Sequence, residues 1–219
     1  MRHEADEPGV DPARGGDRTT LPTPDGPRSR RRTQLLDAAE AALREDGAEV
    51  TMDAMAARAG VTKPILYRHF GDRSGMMLAV TRRHTERLIA QLRRALAGER
   101  DPRTRIHTTI DTYLAFLERD PRLNRATMRL GSSASGAGGA MDEAQELICA
   151  EVEANIRAEL EGAGLDGDAA GTWGTAIIGM VRLVGDRWLD GLHPPRRVLT
   201  DQLTDLVWRG FRGIVTPRR

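Results

Sequence analysis

The sequence predicts an all-α protein of about nine helices. Apolar residues recur three and four positions apart along most of the chain, and no stretch shows the sustained alternation of a β-strand. Threonine, proline and glycine stand where helices would begin and end. Hydrophobic residues make up 39% of the 219 residues but aromatic residues only 4%, so a mostly aliphatic core is expected.

The N-terminal segment differs from the rest of the chain. Residues 1–27 contain five Pro and four Gly, and their large aliphatic side chains are Val10 and Leu21. A segment of this composition buries too little apolar surface to offset the entropy lost on ordering. We therefore expect residues 1–27 to form a disordered tail.

Three short helices are predicted within residues 28–75. The first spans about 29–47, the second 51–60 and the third 62–70, and a glycine follows or closes each of them. The second and third begin at threonines, which are good N-caps, and Pro64 lies in the first turn of the third, where its missing N–H costs nothing.

Six further helices are predicted beyond this unit, and together they make residues 76–219 a second, larger helical domain. A glycine-rich stretch, 131–140, is expected to be a flexible loop between two of them. The predicted spans are 74–97, 102–118, a short helix after Asp120, 141–161, 169–191 and 198–214.

The second and third helices have the spacing of a helix–turn–helix. Ala56 stands where the two helices cross, Gly60 stands where the turn needs positive φ, and Val61 fills the turn. Leu66 and Phe70 follow at the spacing that packs the third helix onto the second. The alternative is an ordinary helical hairpin within a bundle.

The outward side of the third helix carries the residues that could meet a ligand. At 100° per residue, Pro64 and Arg68 point away from the packed face, and Ile65 and Tyr67 flank them. This strip is short enough to enter a DNA major groove. There Arg68 could read guanine, and Ile65 could contact a thymine methyl group.

Charge is distributed unevenly although the net charge is only +1. Residues 28–75 and 76–130 sum to +2 and +6, whereas 1–27 and 131–219 sum to −3 and −4. A polyanion is therefore expected to bind the first half of the folded chain.

The run from Ala56 to Phe70, with its ending Leu66-Tyr67-Arg68-His69-Phe70, resembles the DNA-binding signature of the TetR family of transcriptional regulators. The motif match covers about 29–78, and Arg73 matches the basic residue that usually follows. Beyond it the resemblance is architectural, with weaker similarity to actinobacterial members around Trp188 and near the C-terminus. The resemblance implies a ligand-responsive regulator, most often a repressor of a palindromic operator.

The resemblance also assigns DNA contacts. Arginines just before the helix–turn–helix would enter the minor groove or hold phosphates, the alternative being a solvated charged segment. The other expected DNA-binding residues either contact phosphates or lie toward the groove. The expected residues are Arg30, Arg31, Arg32, Thr51, Thr62, Lys63, Pro64, Ile65, Tyr67, Arg68, His69 and Arg73.

The two C-terminal helices carry broad apolar stripes, and the resemblance implies that they form the four-helix bundle of a homodimer. The alternative is that both stripes are satisfied inside one subunit. The residues expected at the dimer interface are Trp188, Leu199, Leu203, Leu206, Val207 and Phe211.

A small hydrophobic effector, such as an acyl compound, is expected between the fifth and eighth helices, although plain core packing explains the same residues. Arg125 or Arg129 would meet an acidic head group. Without a cavity, the protein would be an effector-independent dimeric regulator. The expected lining is Tyr113, Phe116, Met128, Arg129, Trp173 and Met180.

A helical enzyme or metal-binding bundle is the remaining alternative. The sequence has no His-Glu-x-x-His motif, no P-loop and a single cysteine, Cys149, so no catalytic residues, metal or cofactor are expected. The longest apolar run, 176–181, is too short to span a bilayer, and no signal peptide is recognised. A cytoplasmic protein without membrane contact is expected.

Overall fold

The computed structural model describes residues 26–132, 138–191 and 193–215, and within them it contains nine α-helices, two 3-10 turns and no β-strand. The all-α prediction is confirmed. The predicted tail falls almost wholly on residues outside those described and stays a prediction. The helices are α1 (Pro27–Asp46), α2 (Met52–Arg58), α3 (Lys63–Phe70), α4 (Arg73–Leu96), α5 (Pro102–Arg119), α6 (Pro121–Ser132), α7 (Gly138–Gly162), α8 (Ala170–Leu189) and α9 (Arg196–Val215).

The N-terminal helices begin and end where local chemistry directs them. The Thr51 side chain accepts a hydrogen bond from the Ala54 backbone N–H at 3.2 Å and so caps α2. Gly60 closes the α2–α3 turn with φ of 62°, a conformation that favours glycine. Gly47 ends α1 with φ of 75°. The expected turn glycines are therefore found in the expected places.

One compact hydrophobic cluster holds these helices together. It joins α1, α2 and α3 to the start of α4 and to the side of α6, so it crosses the domain boundary predicted after residue 75. Its largest fully buried members are Leu35, Leu43, Met55, Leu66, Met76, Met77, Val80 and Leu123.

The start of α4 is fixed tightly against the end of α3. Asp72 caps α4 by accepting a hydrogen bond from the Gly75 N–H at 2.7 Å. A Cβ atom at Gly75 would lie 2.0 Å from the Phe70 carbonyl oxygen, so only glycine allows this approach. The start of α4 is therefore in direct backbone contact with the end of α3.

The C-terminal helices build two smaller clusters. One combines residues of α5, α8 and α9, including Ile110, Leu114 and Leu203, and the other joins α7 to the start of α8 around Leu160. At Gly185 a Cβ atom would lie 2.8 Å from Leu117 Cδ1, which explains the close approach of α8 to α5.

The predicted glycine-rich loop is shorter than expected. Helix α6 continues to Ser132 and α7 begins at Gly138, so both helices enter the range 131–140. Residues 133–137 lie outside the described part of the chain. Within the described residues, no helix is long and apolar enough to cross a membrane.

Candidate functional site

Helix α3 presents a solvent-facing strip opposite its buried side. Leu66 is fully buried and Phe70 nearly so, whereas Pro64 and Arg68 are exposed and the Tyr67 side chain is 42% exposed. This is the orientation that the sequence predicted for the strip. Nothing in the described chain covers Arg68, which leaves its guanidinium available to a base edge or a phosphate.

The flanking positions are more constrained than the sequence indicated. Ile65 is half-buried against the N-terminal cluster, because its helical phase places it beside the packed face, and not fully toward a groove. The Lys63 ammonium lies 2.8 Å from the Asp53 carboxylate, and this hydrogen bond raises the pKa of Lys63. The Lys63 ammonium keeps two further N–H donors that could reach a phosphate.

Three more predicted DNA contacts surround the strip. Thr62 is exposed, and its side chain makes no capping hydrogen bond. His69 is half-buried with its ring 6.2 Å from that of Phe70. Arg73 donates to the Ala48 carbonyl and so ties α4 to the turn after α1.

The N-terminal arginines belong to a helix. Arg30, Arg31 and Arg32 are exposed residues in the first two turns of α1, which begins at Pro27. The Arg32 guanidinium lies 5.0 Å from the centre of the Phe70 ring, a cation–π contact with the end of α3. Arg32 is thus held beside the end of α3.

A buried carboxylate links α1 to α4. Glu40 is 1% exposed and faces three arginines, because burial of a carboxylate requires compensating charge. Its Oε2 lies 2.5 Å from Arg87 Nη1 and 3.3 Å from Arg44 Nη2, and its Oε1 lies 3.6 Å from Arg83 Nε. The N-terminal unit and α4 therefore share an ionic network as well as a core.

A cavity of about 300 Å³ lies among the helices from α4 to α9. Its wall is mostly apolar, as in small-molecule sites of proteins. The sequence predicts a cavity between the fifth and eighth helices, and the structure adds α4 to its wall. That helix supplies Thr81, His84, Thr85, Leu88, Leu92 and Leu96.

The predicted lining is partly found. Tyr113, Phe116 and Met128 lie in the cavity wall. Trp173 and Met180 do not, because their positions around α8 direct them into the two C-terminal clusters. The Arg129 side chain lies outside the described residues.

The structure places Arg125, which was expected to meet an acidic head group, and Arg105, which the sequence did not single out. Arg125 donates to the Leu189 carbonyl and pairs with Asp190, which holds α6 to the end of α8 outside the cavity wall. Arg105 does line the cavity, and its guanidinium lies 2.6 Å from Asn155 Oδ1 and 3.0 Å from the Glu99 carbonyl. Arg105 therefore already has protein partners.

The predicted dimer stripe is largely used within the subunit. Leu199 and Leu203 are buried against α5, Val207 is buried at the cavity, and the Trp188 indole donates to the Pro194 carbonyl at 2.9 Å. Leu206 is 59% exposed, and the Phe211 side chain lies outside the described residues. Among the described side chains of α8 and α9, the exposed large apolar ones are Leu183, Val198 and Leu206.

Two family descriptions match this chain. Bacterial regulatory proteins of the tetR family match residues 35–80, which hold the helix–turn–helix, and the Tetracyclin repressor-like C-terminal domain matches residues 91–215. The chain belongs to the TetR family. It is therefore a DNA-binding transcriptional regulator and not an enzyme.

Relatives and solved structures agree with this assignment. The TetR-family chain is 29% identical over 186 residues to the uncharacterized HTH-type transcriptional regulator Rv0472c of Mycobacterium tuberculosis, covering 84% of this chain and 79% of that one. A TetR-like regulator from Rhodococcus sp. RHA1 has a TM-score of 0.64 at 23% identity, covering 88% and 99% of the two chains.

A third similarity comes with a bound molecule. The transcriptional regulator FadR from Bacillus subtilis, solved in complex with stearoyl-CoA, has a TM-score of 0.70 at 14% identity. The match covers 80% of this TetR-family chain and 96% of FadR. At this identity the similarity shows the shared fold.

Proposed function

We propose that this regulator is a ligand-responsive repressor that binds a palindromic operator as a homodimer and is released by a small hydrophobic effector. The observation that carries this proposal is the position of α4. Its first turn is locked to the recognition helix α3, and its later turns form one wall of the apolar cavity. A ligand that moves α4 therefore acts directly on the DNA-reading unit.

The DNA-binding part of the proposal depends on the exposed strip of α3. Arg68 is the candidate base-reading residue, because an arginine can contact guanine bidentately in the major groove. Thr62, Tyr67 and Lys63 offer hydroxyl and ammonium donors for phosphates, which position a protein on DNA without specifying sequence. The α1 arginines add positive charge on the same side.

The dimerisation part of the proposal depends on the exposed apolar residues of α8 and α9. One helix–turn–helix reads only a short half-site, and two copies must be held about 34–36 Å apart to enter successive major grooves. Leu183, Val198 and Leu206 are the side chains we assign to this interface, since they are apolar and exposed in the described part of the subunit.

The effector-binding part of the proposal depends on the apolar cavity. Its volume of about 300 Å³ is at the small end of ligand pockets. The complex of the similarly folded FadR with stearoyl-CoA supports an acyl compound as one class of effector to test. In the proposed mechanism, the ligand tilts α4 and changes the separation of the two recognition helices, so one half-site is lost.

The proposal is tested by measuring cavity occupancy and operator binding in the same sample. An operator would first be selected from random DNA, and a palindrome with half-sites one helical turn apart is expected. Acyl-CoAs and uncharged apolar compounds are then added while melting temperature and operator affinity are followed. A ligand that raises the melting temperature should weaken operator binding by about tenfold or more, a coupling of about 1.4 kcal/mol.

Oligomeric state supplies the control. Light scattering should give twice the 24.1 kDa subunit mass, and Leu206→Asp should yield folded monomers, because Leu206 makes little contact within its own subunit. Leu203→Asp is unsuitable, since Leu203 belongs to the subunit core. A monomeric wild-type protein would refute the dimer, and ligands that leave operator affinity unchanged would favour an effector-independent regulator.

A further inference from the structure

The α4 wall of the cavity contains polar groups that the protein itself does not satisfy. Thr81 is 3% exposed and His84 is 6% exposed. Among the described residues, neither Thr81 Oγ1 nor His84 Nδ1 has a hydrogen-bond partner, although both side chains lie in the cavity wall. Leaving such groups unpaired costs free energy, so each indicates a missing partner.

The hydrogen bonds around Asn124 determine which ring nitrogen of His84 carries the proton. The Asn124 Nδ2 donates to the carbonyls of Phe116, Leu117 and Asp120 at 3.0–3.2 Å, which fixes the amide orientation. The Asn124 Oδ1 therefore faces His84 Nε2, 2.8 Å away, and must accept its proton. In the neutral ring, Nδ1 is then a bare acceptor.

The surroundings keep the His84 ring neutral. Burial lowers its pKa, against the hydrogen bond with Asn124 and the negative charges of Glu40 and Asp120, which act in the opposite direction. Arg87 on the same helix adds to the lowering. The ring also packs on Phe116, with the ring centres 4.4 Å apart.

Thr81 stands one turn before His84 on α4, so their side chains are neighbours on the helix surface. Thr81 can donate a proton and His84 Nδ1 can accept one. A single hydroxyl group offers the complementary pair, since it accepts from Thr81 and donates to Nδ1. A carboxylate offers acceptors only and would face the Nδ1 lone pair.

We infer that the α4 wall of the cavity recognises a hydroxyl group on an otherwise apolar ligand, through Thr81 and His84. This inference rests on the proposed effector function of the cavity. It makes the cavity selective for hydroxylated aliphatic compounds over ethers and ionised fatty acids. It also places the polar contact on α4, the helix that continues into the DNA-reading unit.

The experiment compares three matched probes on the full-length protein. They are 1-octanol, its isomer 1-methoxyheptane, and octanoate, each displacing an uncharged fluorescent reporter, N-phenyl-1-naphthylamine. The ether can accept from Thr81 but cannot donate to His84. We expect 1-octanol to bind about fivefold to tenfold more tightly than the ether, as expected for one added hydrogen bond, and octanoate to bind more weakly than 1-octanol.

Two isosteric variants locate the contact. Thr81→Val removes the unpaired hydroxyl and should weaken both 1-octanol and the ether by about fivefold. Thr109→Val is the matched control, because Thr109 also lines the cavity but its hydroxyl donates to the Arg105 carbonyl at 2.8 Å. The Thr109→Val variant should bind both probes with the same affinity as the wild type.

Each other outcome overturns the inference. Equal affinity for the alcohol and the ether would exclude hydroxyl recognition, and tighter binding of octanoate would show an anion site instead. Equal effects of the two threonine variants would place the contact elsewhere. If the reporter and all three probes fail to bind, the proposed effector cavity itself is refuted, whereas unselective binding leaves that proposal standing.

Discussion

The N-terminal unit and the cavity region are built from similar helices but handle their interiors differently. Around α3 a single cluster fills the space, with Leu66 and Met55 fully buried, and the buried Glu40 carboxylate beside it faces arginines. Around the cavity of about 300 Å³, the buried atoms Thr81 Oγ1, His84 Nδ1 and Tyr113 Oη have no hydrogen-bond partner among the described residues. The first region is filled by its cluster, whereas the second contains a cavity and unpaired polar atoms.

Truncating one leucine in each region gives the largest expected contrast. Leu66→Ala should lower the free energy of unfolding by about 3–4 kcal/mol, because Leu66 is completely enclosed. Leu88→Ala, at the cavity wall, should cost only about 2 kcal/mol, since fewer contacts are lost beside an existing cavity. Urea unfolding measures both. Equal costs would mean that the two interiors are equally packed.

The exposed strip of α3 should affect recognition without affecting stability. Arg68→Ala should relax preference at one base pair of the operator by about 1–3 kcal/mol if the arginine reads guanine. Tyr67→Phe should instead weaken binding to all operator variants alike, with little change in salt dependence, because the phenol is uncharged. Binding titrations against single-base variants separate the two. A uniform loss for Arg68→Ala would assign it to a phosphate.

The unpaired hydroxyl in the cavity region should be a stability cost. Thr81→Val is expected to raise the free energy of unfolding by about 1 kcal/mol, because it removes a buried hydroxyl that has no partner. Thr127→Val should have the opposite sign, because the Thr127 hydroxyl lies 2.9 Å from the Asn124 carbonyl oxygen and 3.1 Å from that of Leu123. Thermal or urea unfolding checks both, and destabilisation by Thr81→Val would show that its hydroxyl is satisfied.

Acid should weaken the cavity region through His84. Because burial lowers the folded-state pKa of this ring, the unfolded chain takes up a proton first as the pH falls below its ordinary value of 6.5. Stability is therefore lost from about pH 6.5 downward, by at most about 1.4 kcal/mol per pH unit. Unfolding of wild type and His84→Gln at pH 7.5 and 5.5 isolates this contribution. An identical pH dependence in both proteins would contradict it.

The two regions also differ in how far the sequence predicts them. In the N-terminal unit, Thr51, Gly60 and Gly71 are local signals that act on their own turns, so both the helices and the outward strip were predicted correctly. Ile65 flanks the strip, and its half-burial depends on packing against neighbouring helices, which the sequence alone does not define. Its contact with a base stays a prediction.

The cavity depends on contacts between distant helices, which periodicity cannot define. Trp173 and Met180 were expected in its wall because they are large and apolar, yet packing directs both into clusters. The contribution of α4 was missed, although a signal existed. Between Met77 and Leu88 the apolar stripe of α4 includes Thr81 and His84 at core spacing, and polar residues at such positions indicate a buried polar site.

The proposed coupling of cavity and operator through α4 can be measured directly by binding linkage. The affinity of a cavity ligand is measured for the free protein and for the protein saturated with operator DNA. Because coupling is reciprocal, a ligand that weakens operator binding tenfold must bind tenfold more weakly to the DNA complex. We expect this matched loss. A ligand affinity that is the same with and without operator would contradict it.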